Sequence, residues 1–113
     1  MDHSSIKKEF SIDEQNINLV YVGQIYSPKG IHFLLESISL IINQYPNIKL
    51  YIVGDYIIEE FKGYINQLKS FIEEHELSDN IVFTGWRLDA LNIVSVMDIL
   101  VHPSLSEGFG RAV

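Results

Sequence analysis

Four short apolar segments, each closed or followed by a glycine or a proline, recur along this chain. They cover residues 18–23, 48–54, 81–85 and 99–102, and they are rich in β-branched and aromatic residues. Continuous apolar runs of this length are typical of strands that are buried on both faces, as parallel strands are. The pattern therefore predicts four strands of a parallel sheet.

Between these segments the apolar residues recur every three or four positions, which is the period of one helix face. The stripes are Ile31, Leu34, Leu35, Ile38, Ile41 and Ile42; Phe61, Ile65, Leu68 and Ile72; and Leu88, Leu91 and either Val94 or Met97. Regular alternation of strand and helix is the pattern of a doubly wound α/β sheet with right-handed crossovers. We expect that fold class.

The N-terminal segment differs from the rest of the chain. Residues 1–15 are polar, of mixed charge and without a clear period. We therefore interpret residues 1–17 as a linker or an N-terminal extension and residues 18–113 as one domain. A length of 113 residues with 47% apolar content suits a single core.

Charge and composition exclude several classes of function. The formal net charge is -7 and the pI is near 4.9, so the chain lacks the positive field that attracts nucleic acid. There is no cysteine, which excludes disulfides and suits a reducing compartment. No apolar run reaches the length of a bilayer span. We expect a cytoplasmic protein without a nucleic-acid partner.

Two short motifs are candidates for ligand binding. Lys29 and Gly30 lie directly before the first predicted helix, where an ammonium group and free backbone N–H groups suit a phosphate. Glu107 precedes Gly108-Phe109-Gly110, where glycine lets a ligand approach the main chain. From spacing alone, a solvated lysine and a solvated loop carboxylate are the simpler interpretations.

The order of the motifs adds a family resemblance to this picture. Five motifs follow one another along the chain: Gly23 with Lys29-Gly30; Val53-Gly54-Asp55; residues 82–85; residues 98–101; and Ser-x-x-Glu-Gly-Phe-Gly at residues 104–110. The segment 18–113 resembles the C-terminal, donor-binding lobe of group 1 GT-B glycosyltransferases. The resemblance implies a partial Rossmann-like lobe with strand order 3-2-1-4. It also implies an enzyme that transfers a hexose from a nucleotide diphosphate sugar to an acceptor hydroxyl, without a cofactor or a catalytic metal.

The resemblance assigns roles to individual residues. Glu107 is the catalytic candidate near the donor sugar, and Lys29 neutralises the diphosphate. Gln24 stands where relatives carry an arginine, which removes one positive charge from the pair. The donor-binding candidates are Gly23, Gln24, Lys29, Gly30, Trp86, Arg87, Gly108, Phe109 and Gly110. Trp86 could instead be a half-buried cap on the sheet, and Arg87 a surface residue.

The same resemblance sets expectations about the part of the enzyme that lies outside this sequence. The second glutamate of the family's Glu-x7-Glu signature would fall two positions past Val113. The acceptor, a sugar or a lipid-linked glycan, would bind through an N-terminal lobe, and the full-length enzyme could be membrane-peripheral. We expect the isolated chain to bind donor weakly, to show no transfer and to self-associate through the apolar edge at residues 99–101.

Other interpretations of the same pattern are a small flavodoxin-like binding or signalling module and a dinucleotide-binding domain. A receiver domain needs carboxylates at the first strand end, where this chain has Gly23-Gln24. A dinucleotide fold needs Gly-x-Gly-x-x-Gly after that strand, which is missing. The four histidines are scattered and lack the spacing of zinc ligands, so no metal site is expected.

Overall fold

A computed structural model describes residues 3–25, 30–55 and 62–101. Within these ranges helices alternate with the strands of one sheet. The elements are α1 His3–Glu9, β1 Ile17–Val22, α2 Ile31–Ile41, β2 Ile48–Val53, α3 Lys62–Glu74, β3 Ile81–Gly85, α4 Ala90–Ser95 and β4 Ile99–Leu100. The predicted α/β class is confirmed, and three of the predicted strands agree with the observed ones to within one residue at each end. His102, the predicted end of the fourth strand, lies outside the described residues.

The sheet is parallel and has the order β3-β2-β1-β4. β1 pairs with β2 along its full length, from Ile17 opposite Ile48 to Val22 opposite Val53. This order agrees with the Rossmann-like arrangement that the sequence analysis expects. A flavodoxin-like sheet has the order 2-1-3-4, in which β1 lies between β2 and β3. The observed neighbours of β1 are β2 and β4, so the flavodoxin-like alternative is wrong.

Helices α2 and α3 cover one face of the sheet with the stripes that the sequence predicts. On α2, Leu35 and Ile38 are buried within the core that this face forms. On α3 the buried residues are Ile65, Leu68 and Ile72. Ile41 departs from the prediction, since 39% of it is exposed at the point where α2 ends. Phe61 lies outside the described residues.

Helix α1 lies on the other face of the sheet, in a segment where the sequence analysis predicts no element. Its Ile6 is fully buried beside Val20 and Tyr51 of the sheet. The helix ends in a Schellman turn: the N–H of Ser11 donates to the carbonyl of Lys8, and the N–H of Ile12 donates to that of Lys7. The N-terminal segment therefore contributes to the core.

Helix α4 packs on the same face as α1, but it uses a different stripe from the predicted one. Leu88 and Leu91 are 94% and 85% exposed, so the prediction that they face the core is wrong. The helix begins at Ala90, which places Leu88 before it. Ile93 is the fully buried residue of α4, and Ala90, Val94 and Met97 pack against the same core.

The described part of the chain contains no helix with the length and apolar character that crossing a membrane requires. Strand β4 lies at one edge of the sheet as described, and it leaves Ile99 50% and Leu100 44% exposed. The prediction that this strand is buried on both faces is therefore wrong for these residues.

Candidate functional site

Glycine backbone forms the carboxyl edge of the sheet, where β1, β2 and β3 end side by side. The N–H of Gly23 donates to the carbonyl of Val53 at 3.0 Å, and the N–H of Gly54 donates to the carbonyl of Gly85 at 3.0 Å. A Cβ atom on Gly54 would lie 1.9 Å from the carbonyl oxygen of Gly23. The strand ends approach so closely that only glycine fits at Gly54, and the edge presents main chain instead of side chains.

Two hydrogen bonds hold the loop that leaves β1 at the peptide unit between Gln24 and Ile25. The hydroxyl of Tyr21 donates to the carbonyl of Gln24 at 2.7 Å, and the N–H of Ile25 donates to the carbonyl of Asp55 at 3.2 Å. Tyr21 and Ile25 are buried, while Gln24 is exposed. Gln24 therefore stands at the carboxyl edge with its backbone position fixed.

The start of helix α2 is capped from the neighbouring helix. Gly30, the N-cap residue, has a φ of 71° and makes no side-chain capping hydrogen bond. Instead, the hydroxyl of Tyr64 on α3 accepts from the backbone N–H of His32 at 3.1 Å and lies 2.8 Å from His32 Nδ1. Burial raises the pKa of the Tyr64 hydroxyl. Tyr64 thus fixes the helix start that directly follows the predicted phosphate-binding pair.

A small cavity of about 200 Å³ opens at the same edge, on the side of α3. Its wall includes Gly54, Gly85, Asp55 and Phe83. The ammonium group of Lys69 lies over the ring of Phe83, 5.7 Å from its centroid. The cavity therefore combines bare main chain, one aromatic face and one charge of each sign.

The loop after β3 carries Trp86 and Arg87 in different environments. Trp86 is 74% exposed, so the alternative in which it caps the sheet is wrong. The Arg87 guanidinium donates to both oxygens of Asp89 at 2.9 Å and to both oxygens of Glu9 at the end of α1. The hydrogen bonds that Arg87 donates to Glu9 and Asp89 raise its pKa, and the guanidinium lowers the pKa of each carboxyl group.

The structure brings part of the predicted site together. Gly23, Gln24, Gly30, Trp86 and Arg87 all lie at the carboxyl ends of the strands or at the start of a helix that follows one. The remaining candidates lie outside the described residues: Lys29, Glu107, Gly108, Phe109 and Gly110. The assigned role of each candidate in binding or catalysis stays a prediction.

Sequence reasoning missed three residues that shape this edge. Tyr64 caps α2 from α3, and no local pattern indicates a hydroxyl cap between helices. Asp89 pairs with Arg87 two residues away, which the spacing Arg-x-Asp could have suggested. Glu9 is 78 residues from Arg87 in the chain, so no local signal points to it. Across residues 3–25, 30–55 and 62–101, no three acidic or histidine side chains group as metal ligands.

Several known proteins are similar to this chain over nearly its whole length. The capsular polysaccharide biosynthesis glycosyltransferase CapM of Staphylococcus aureus is 27% identical over 98% of this chain. The phosphatidylinositol N-acetylglucosaminyltransferase gpi3 subunit of Schizosaccharomyces pombe is 31% identical over 96% of it. The matches cover 28% and 22% of these relatives, so this chain spans about a quarter of their length.

Solved structures share the fold. The crystal structure of HepE from Anabaena in complex with UDP matches 99% of this chain and 30% of that one, with a TM-score of 0.86 and 23% identity. The C-terminal domain of the glycosyl transferase group 1 family protein LpcC from Francisella tularensis matches 98% of this chain and 62% of that one, with a TM-score of 0.77 and 20% identity. These likenesses show the fold of a GT-B C-terminal lobe.

The sequence model of the glycosyl transferases group 1 family matches residues 2–113. That match includes the N-terminal segment in which the structure places helix α1, and it extends through the predicted Glu107 motif. This chain therefore belongs to the group 1 glycosyltransferase family.

Proposed function

We propose that this chain is the donor-binding part of a group 1 glycosyltransferase. In this proposal the whole enzyme transfers a sugar from a nucleotide diphosphate sugar to an acceptor hydroxyl. The observation that carries it is the carboxyl edge, where three strand ends meet as bare glycine backbone in a chain of this family. Ligands of open α/β sheets bind at the carboxyl ends of the strands. UDP in the HepE complex supports a nucleoside diphosphate as the common part of the ligand.

The chain as a whole carries a net charge of -7, which disfavours the binding of a diphosphate. A diphosphate needs local positive charge, which Lys29 supplies together with backbone N–H groups of the Gly108-Phe109-Gly110 loop. Gln24 replaces the second basic residue of the family pattern with a neutral donor. We therefore expect weak donor binding, and we propose that cationic side chains and amides, not a metal ion, neutralise the phosphates.

The acceptor binds outside this sequence in our proposal. The relatives' names include a galactosyltransferase of Escherichia coli that acts on a GlcNAc-diphosphoundecaprenol. A sugar or a lipid-linked glycan is therefore the acceptor class that we propose. Glu107 contacts the donor sugar, and transfer requires the acceptor lobe. The isolated chain is then expected to bind nucleotide without turning over a sugar nucleotide.

Calorimetric titration with UDP tests the proposal, with uridine as the ligand that lacks phosphates. We expect UDP to bind and uridine to bind much more weakly, because the diphosphate supplies the charged contacts. Lys29→Ala should reduce the binding free energy of UDP by about 1 to 3 kcal/mol, the effect of losing a charged hydrogen bond. Lys49→Ala is the matched control, since Lys49 lies in the first half of β2, toward the opposite edge of the sheet. Equal affinity for UDP and uridine, or equal losses in both variants, would contradict the proposal.

A further inference from the structure

Most N–H groups of the Arg87 guanidinium donate hydrogen bonds within the protein. Nε and Nη2 donate to Asp89 at 2.9 Å each, and Nη1 and Nη2 donate to Glu9. These contacts use four of the five N–H groups of an arginine. Both pairs are bidentate, which fixes the plane of the guanidinium as well as its distance. Little donor capacity is left for a ligand.

The partner on α1 is anchored in the core. Glu9 is the last residue of α1, whose Ile6 is fully buried on the sheet. Phe10 follows it and lies under Arg87, with the guanidinium carbon 5.2 Å from the ring centroid. The Phe10 ring in turn meets the ring of buried Tyr51 edge-on at 5.9 Å. The position of Arg87 is therefore tied to β2 through α1.

The other end of the loop is fixed as well. The carbonyl of Gly85 accepts from the N–H of Gly54 at 3.0 Å and from the hydroxyl of Thr84 at 2.9 Å. Trp86 lies between this anchored glycine and the anchored arginine, and its side chain is 74% exposed. A backbone that is held on both sides fixes the point at the carboxyl edge from which the Trp86 side chain projects.

We propose that Arg87 is a positioning residue that ties the Trp86 loop to helix α1 through Glu9, so that this helix contributes to donor affinity without touching the donor. The inference rests on the proposed function, because the affinity in question is that for the nucleotide. It assigns Arg87 an indirect role in place of a direct contact with the ligand. Helix α1, which lies in the segment interpreted from the sequence as a linker, then supports the site by holding Arg87 through Glu9.

The test compares Glu9→Gln and Arg87→Lys with the wild-type chain. Trp86 is the only tryptophan, so its fluorescence anisotropy reports the mobility of this loop. We expect both variants to stay folded, to show lower Trp86 anisotropy and to bind UDP about threefold to tenfold more weakly, the range of a lost hydrogen bond. Lysine keeps the charge of Arg87 but lacks its bidentate geometry. Glu14→Gln is the control, since it makes the same change at an exposed carboxylate five residues after Glu9, and it should change neither value.

Each outcome decides the inference. A folded Glu9→Gln variant with wild-type anisotropy and wild-type UDP affinity overturns it, even if its melting temperature falls, since that result describes a purely structural ion pair. Weaker UDP binding in Arg87→Lys alone also overturns it, because Arg87 would then contact the nucleotide directly. Failure of the wild-type chain to bind UDP contradicts the proposed function instead, and the anisotropy comparison still decides whether Glu9 holds the loop.

Discussion

Replacement of Gly54 by alanine tests the close approach of strand ends at the carboxyl edge. The new Cβ atom would lie 1.9 Å from the carbonyl oxygen of Gly23 and 2.9 Å from its carbon, both backbone atoms that cannot rotate away. The φ of Gly54 is +150°, a conformation that itself costs a non-glycine residue about 1 to 3 kcal/mol. Relief of the overlap requires the end of β1 to move from β2, which breaks the hydrogen bond from Gly23 to Val53. We expect a loss of about 3 kcal/mol or more from the free energy of unfolding.

Two matched glycine-to-alanine changes separate the causes. Gly85 has a φ of +76° but no atom within 4 Å of the added carbon, so Gly85→Ala should lose about 1 to 2 kcal/mol from backbone strain alone. Gly63, on α3, has an ordinary φ and open space around it, so Gly63→Ala should gain up to about 1 kcal/mol from helix propensity. Urea unfolding followed by circular dichroism measures all three. A Gly54→Ala variant as stable as Gly85→Ala would show that the overlap with Gly23 adds no cost beyond backbone strain.

Three further expectations concern other parts of the chain. Tyr51 is fully buried, and its hydroxyl has no hydrogen-bond partner among the described residues. Tyr51→Phe should therefore leave the free energy of unfolding in urea unchanged or raise it by up to about 1 kcal/mol. A lower free energy of unfolding in the variant would contradict this. Arg87 lowers the pKa of Glu9 and of Asp89. These pairs therefore stabilise the fold above about pH 4, and they lose that effect as the pH falls through the lowered pKa values. The difference in melting temperature between wild type and Glu9→Gln should shrink in acid, and a difference that stays constant with pH would contradict this. Ile99 is half-exposed on β4, so Ile99→Lys should reduce the self-association that we expect in size-exclusion chromatography, and an unchanged elution profile would count against that contact.

The strands and the two longer helices could be predicted because their signals are local. A glycine closes each of the first three strands, and the buried stripes of α2 and α3 follow the period of a helix. The signals for the helix ends were weaker. Ser11 and Glu76 adopt φ values of 52° and 57° in the turns that end α1 and α3, where glycine is the usual marker. A sequence with serine or glutamate at these positions carries no such mark.

The parts that could not be predicted depend on tertiary contacts. Ile6 is the buried apolar residue of α1, and Phe10 and Ile12 in the turn that follows pack on the same core, which are too few residues to establish a helical period. The predicted apolar face of α4 is wrong because apolar residues lie on two faces of this helix, one with Leu91 and one with Ile93. Packing against the sheet decides that Ile93 is the buried residue. The glycine edge was predictable as a location, since each glycine follows a strand. Its contact distances, like the pairing of Glu9 with Arg87, depend on how distant segments pack.

Residue-resolved NMR of the isotope-labelled chain titrated with UDP shows whether the carboxyl edge of this sheet binds a nucleoside diphosphate. We expect the amide signals of Gly23, Gly54 and Gly85 and the indole signal of Trp86 to shift with a common saturation curve. The signals of Asn47 and Asn80, at the opposite edge of the sheet, should stay in place. Shifts confined to that opposite edge, or no shifts at millimolar UDP, would show that the nucleotide does not bind at the carboxyl edge.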